Sequence, residues 1–161
     1  MSNERAELLQ SLNRHRDFLR GTVADLTEEQ ARLSPTVSVL QLGGLIKHVA
    51  GVEERWGRFA EGGADAMNSV PLDWQGQFKL NDDETLEGTL KHYDKVAAAN
   101  DEIFAAIDLD SGHELPKEPW FEPGASWSGR RVILHLIAEV SQHAGHADII
   151  RETIDGKKSM G

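Results

Sequence analysis

Residues 130–156 read RRVILHLIAEVSQHAGHADIIRETIDG, and this stretch decides the fold. Its aliphatic residues recur at helical spacing. The cap-rich run Gly124-Ala125-Ser126-Trp127-Ser128 precedes it and Asp155-Gly156 closes it, which bounds one long helix. On a wheel of about 100° per residue with Glu139 at zero, His143 falls at about 40°, Val132 and Ile150 at about 20° and Leu136 at about 60°. The carboxylate and the imidazole therefore share the arc that the aliphatic residues bury. His146 at about −20° and His135 at about −40° sit on its edge. An inward carboxylate costs free energy unless something satisfies it. A metal ion is the partner that takes Glu and His one turn apart.

A second segment, LGGLIKHVAGVEERW (residues 42–56), repeats the anomaly. With His48 at zero, Phe59 lies at about 20°, Val52 at about 40°, Leu45 at about 60° and Trp56 at about 80°. His48 points inward with them. Bundles build metal sites from ligands that project into the core from facing helices. Glu139, His143 and His48 make three such ligands and leave a fourth position open, as a catalytic zinc site requires. His135 and His146 are placed to touch the ligands or a substrate. Arg55 and Arg151 are candidates for a substrate carboxylate or for ordinary ion pairs. His15, His92 and His113 have no supporting context.

The rest of the chain also reads as helical. Leu8, Leu9, Leu12, Leu19 and Val23 give helical spacing over residues 3–24. Thr27-Glu28-Glu29-Gln30 is a capping box that opens a short extra turn before Ser34-Pro35. A second capping box, Ser38-Val39-Leu40-Gln41, predicts the start of the second long helix, which ends near Glu61-Gly62-Gly63. Asn81-Asp82-Asp83-Glu84 predicts the start of a third, running to about Ile107. The expectation is an all-α, single-domain chain over residues 1–161: a four-helix bundle with long crossover connections. Those connections, residues 62–80 and 108–126, carry Pro71, Trp74, Pro116, Pro119, Trp120 and Pro123. They either pack over the bundle or wall a pocket at one end.

Composition narrows the chemistry. The 161 residues carry a net charge of −10, and the basic residues form no cluster, which argues against nucleic acid and anionic membrane as main partners. No apolar stretch approaches the ~20 residues of a membrane span. The N-terminal MSNERAELLQ has no apolar run after basic residues, so a cytoplasmic location is expected. Cysteine is absent. Disulfides and a protein-borne thiol nucleophile are excluded, and thiol chemistry would need a thiol from outside.

The two quoted segments resemble the DinB/YfiT-like superfamily and are closest to its actinobacterial branch of mycothiol-dependent S-transferases. The likeness extends over essentially the whole chain, including Trp127 at the start of the last helix. It implies a four-helix bundle, often a homodimer, with a divalent metal held by His48, Glu139 and His143. Many members of that superfamily carry three histidines. The carboxylate at Glu139 is shared with the mycothiol-dependent maleylpyruvate isomerases. The run that commonly follows the last ligand, Arg-Gly-Gln, reads Ala144-Gly145-His146 here.

The implied activity is transfer of a low-molecular-weight thiol, mycothiol first, to a small electrophile in detoxification or stress response. No catalytic residue beyond the ligands is required. Zinc suits the donor set first; Fe(II) follows, and nickel and manganese are compatible. The alternatives are a thiol-dependent isomerase of the maleylpyruvate type, a metal-dependent hydrolase, and a non-enzymatic metal- or ligand-binding bundle.

Overall fold

Four long helices carry the chain: α1 (Glu4–Gly21), α3 (Leu42–Asn68), α4 (Leu86–Ala106) and α5 (Gly129–Asp155), with a one-turn α2 (Glu28–Ala31) between the first two. The computed structural model describes residues 3–160. Met1, Ser2 and Gly161, the ends of the expected domain, lie outside the described residues. Helix α3 packs against both α4 and α5, and α1 packs against α5. Their apolar faces meet in one core that includes Leu12, Leu45, Ile46, Phe59, Phe104, Ile133, Leu136 and Val140. The fold is an all-α bundle, as the periodicities predict. Among the described residues no helix is long and apolar enough to cross a membrane.

The Thr27 box forms with both of its bonds. Two other predicted starts move. Helix α3 begins at Leu42, with Gln41 at the cap and no side-chain bond there. Ser38 instead accepts from the Leu40 amide at 3.2 Å, a local turn that competes with the helix. Helix α4 begins at Leu86, capped by Thr85, whose hydroxyl accepts from the Gly88 amide at 3.0 Å. The acids at residues 82–84 do not cap it. Glu84 folds back onto the Asn81 amide at 2.6 Å and closes a preceding turn.

Helix α3 also outlasts its predicted end. Gly63 takes a left-handed φ of 75°, which glycine tolerates without a Cβ penalty, and the helix resumes beyond it to Asn68. Within residues 108–128 the periodicity misses a short antiparallel pairing of β1 (Gly112–Glu114) and β2 (Ser126–Ser128). Three-residue strands have no periodicity to read. The pairing sets His113 opposite Trp127 and fixes Trp127 at the head of α5. Ser128 caps α5 through the Arg131 amide, and Gly156 ends it at φ 78°. The predicted bounds of this helix hold.

One close approach positions the functional end. A Cβ at Gly44 would lie 1.8 Å from the Phe78 carbonyl oxygen, so only glycine lets the 70–80 segment settle on α3. That contact stacks Phe78 on the His48 ring, with centroids 4.1 Å apart.

Candidate metal centre

His48 projects from α3 toward Glu139 and His143 on α5. One ligand atom from each lies within 4.8 Å of the others. The three residues that the wheels place inward are thus brought together. His143 is 9% exposed, and its Nε2 lies 3.6 Å from Glu139 Oε2. The His48 and His143 rings meet edge to face at 4.7 Å.

Each imidazole has an outside partner. His48 Nδ1 is 3.0 Å from Gln77 Oε1. A proton on Nδ1 donated to that carbonyl leaves the Nε2 lone pair free. His143 Nδ1 is 3.4 Å from His146 Nδ1, while its Nε2 faces Glu139. Metal-binding histidines use their second nitrogen in this way, which fixes ring and tautomer. Burial pushes the His48 imidazole down to about 4, with the His143 ring acting in the same sense and Gln77 and Glu139 opposing. The His143 imidazole beside it holds the Glu139 carboxyl below its usual range against the effect of burial. A neutral imidazole and an ionised carboxylate are the forms that ligate a divalent cation. The donor set therefore fits a divalent cation.

The cluster floors a cavity of about 620 Å³. Both long connections wall it: Pro71, Trp74 and Gln77 from the first, Pro116, Trp120 and Phe121 from the second. Of the two readings of those loops, the pocket wall is the one observed. His135 lines the pocket, with Nε2 3.8 Å from Glu139 Oε1. Burial lowers its pKa, Glu139 opposes this and Arg131 adds to it. Arg55 lines the pocket as well, but it donates to the Val70 carbonyl at 2.7 Å and to Asn68 at 3.4 Å. Trp127 stands behind the wall, stacked on Trp56 at 4.7 Å. His146 stays on the far side of His143 and is not one of the three clustered donors.

Arg151 is not brought to this pocket. It is buried at the other end of α5 and donates to the Thr22 and Ala24 carbonyls at 2.9 and 2.7 Å and to Asp155. Its guanidinium ties α5 to the turn after α1. Sequence reasoning misses Gln77, Lys47, Glu54 and His92 in the pocket. The periodicity marks neither Lys47 nor Glu54, which lie about 100° and 120° from His48 on the wheel, and the place of Gln77 depends on the approach of its loop to Gly44.

The comparisons bear on the family and the fold. The family model described as mycothiol-S-transferase matches residues 7–156. No curated protein matches the chain. Among solved structures, a conserved protein of Enterococcus faecalis superposes with a TM-score of 0.65 at 16% identity, covering 98% of this chain and 100% of its own. That likeness speaks to the fold. The match over residues 7–156 shows that the chain belongs to the mycothiol-S-transferase family.

Proposed function

We propose that the chain is a divalent-metal-dependent thiol S-transferase of the cytoplasm, with mycothiol as its first candidate thiol and a small electrophile as acceptor. The observation that carries this is the three-donor cluster at the floor of an open cavity, in a chain that belongs to a family of thiol transferases. His48, Glu139 and His143 would hold the ion, zinc before iron, nickel or manganese. Bound there, the cation supplies the Lewis acidity that keeps a cosubstrate thiol ionised near neutral pH.

The chain's own residues do the rest. Gln77 and His146 orient the two imidazoles through Nδ1. Glu139 contributes the negative charge that offsets part of the cation. The aromatic walls exclude water around the reacting sulfur, which strengthens every electrostatic interaction inside. In the transfer, a sulfur–carbon bond forms, the bond from carbon to the leaving group breaks, and the thiol proton passes to solvent. The absence of cysteine fits a thiol brought from outside. A purely structural site would be closed by four protein ligands, and His146 is turned away from that role. A homodimer and a part in detoxification belong to the same proposal.

Metal analysis of the purified protein, followed by monochlorobimane turnover with mycothiol, bacillithiol, glutathione and cysteine, tests this reading. Conjugation that disappears with a chelator and returns with metal is expected. No metal-dependent conjugation with any thiol overturns it, and turnover of maleylpyruvate instead would make the chain an isomerase.

A further inference from the structure

All four tryptophans of the chain lie in one aromatic track. Trp74 and Trp120 meet at 6.1 Å and are 62% and 61% exposed. Trp120 contacts Phe121, Phe121 contacts Trp127 and Trp56, and both of these meet the His135 ring at about 5 Å, beside Glu139. The track runs from open solvent to the metal cluster. Large rings held in water on two different loops have no packing reason to be there. Flat aromatic surface is what a planar apolar ligand stacks on.

The charge on the same walls has one sign in excess. Outside the cluster, Glu54, Asp73, Glu84 and Glu118 face the cavity against only Lys47 and Arg55. Both cations are already engaged. Lys47 donates to Glu84 at 2.8 Å and lies 3.9 Å from Asp73. Arg55 donates to the Val70 carbonyl and Asn68, and the Glu118 carboxylate acts on its charge. A substrate carboxylate entering here meets four wall carboxylates against two cations, and a divalent ion held by Glu139 would reduce that negative excess without reversing it.

We propose that this mouth selects neutral or cationic aromatic electrophiles and rejects anionic ones. Trp74 and Trp120 supply the stacking surface, and Glu54, Asp73, Glu84 and Glu118 supply the charge filter. The inference rests on the transferase reading for the word electrophile, but the selection itself is a property of the walls. It also makes a dicarboxylate of the maleylpyruvate type a poor substrate for this chain.

The test measures binding without turnover, so its failure is separable from a failure of the transferase reading. Nitrobenzene, 3-nitrophenyltrimethylammonium and 3-nitrobenzenesulfonate share one ring, lack a leaving group and ligate metals poorly. Their affinities for the metal-loaded full chain are compared by calorimetry. The neutral and cationic rings should bind on the order of fivefold more tightly than the sulfonate, with the charge preference shrinking at high salt. Trp120→Ala and Trp74→Ala should each weaken nitrobenzene about threefold to tenfold. Both residues are exposed, so circular dichroism should show an unchanged fold. Glu54→Gln combined with Glu118→Gln should raise the sulfonate's affinity. A sulfonate that binds as tightly as the neutral ring overturns the charge filter. Unchanged nitrobenzene affinity in both tryptophan variants overturns the stacking surface.

Discussion

Nδ1 of His48 lies 3.0 Å from Oε1 of Gln77, so a loop residue sets the tautomer of a helix residue. The contact exists because the Gly44 backbone admits the Phe78 carbonyl that follows Gln77 in the chain. Gln77→Leu keeps the bulk and removes the acceptor. Metal affinity should fall about tenfold or more, read by competition with a chromogenic chelator. Unchanged affinity would mean that the Gln77 contact does not position His48.

His143 is the most buried of the three, with its ring against His48 and its Nε2 3.6 Å from Glu139 Oε2. His143→Ala should abolish metal retention. It should also remove the rise in melting temperature that added zinc gives the parent, because a ligand that binds only the native state stabilises it. A variant that still purifies with stoichiometric metal would disprove the ligand assignment.

The convergence of Glu139, His143 and His48 is legible because each breaks a pattern: they are polar residues at positions where helical periodicity demands apolar ones. Gly63 and the strand pair 112–114 with 126–128 were not legible. The first looks like a helix end, and the second is too short to alternate. A different miss has larger consequences. Glu53 sits on the far edge of the inward face of α3 and is fully buried, facing an equally buried Arg16 from α1. Neither sequence segment alone shows the pairing, because 37 residues separate the partners. The rotational position of Glu53 becomes informative only once α1 is known to lie opposite.

Acid should weaken the metal-free protein. The His48 pKa is about 4 in the fold against 6.5 for a free imidazole, so the unfolded chain binds this proton first. His48 brings no penalty above pH 6.5. The penalty grows as pH falls toward about 4 and is constant below that. Glu139, whose carboxyl is held low, loses its stabilising contribution in the same direction as it protonates. Melting temperatures of chelator-treated protein should therefore decline from pH 7 to pH 4, and His48→Leu should flatten part of the decline. Metal affinity should fall over the same range, since both imidazoles must be deprotonated to ligate. A melting temperature independent of pH across this window would contradict the burial of His48 as a neutral ring.

The Arg16–Glu53 pair should dominate stability without touching the pocket. Arg16 donates to both carboxylate oxygens of Glu53 at 2.5–3.1 Å and to Asp101 at 2.6 Å. Tyr93 donates its hydroxyl to Glu53 Oε1 at 2.8 Å, and Asn100 donates to the Glu53 carbonyl. This network joins α1, α3 and α4. Glu53→Leu leaves the buried Arg16 guanidinium with Asp101 as its remaining carboxylate and should cost about 3 kcal/mol. Replacing both partners, Arg16→Met with Glu53→Leu, removes the buried charge and should recover most of that loss. Urea denaturation of the two single variants and the double variant closes the cycle. Additive losses would show that the two side chains act independently, and the ion pair would then not be what holds α1 against α3.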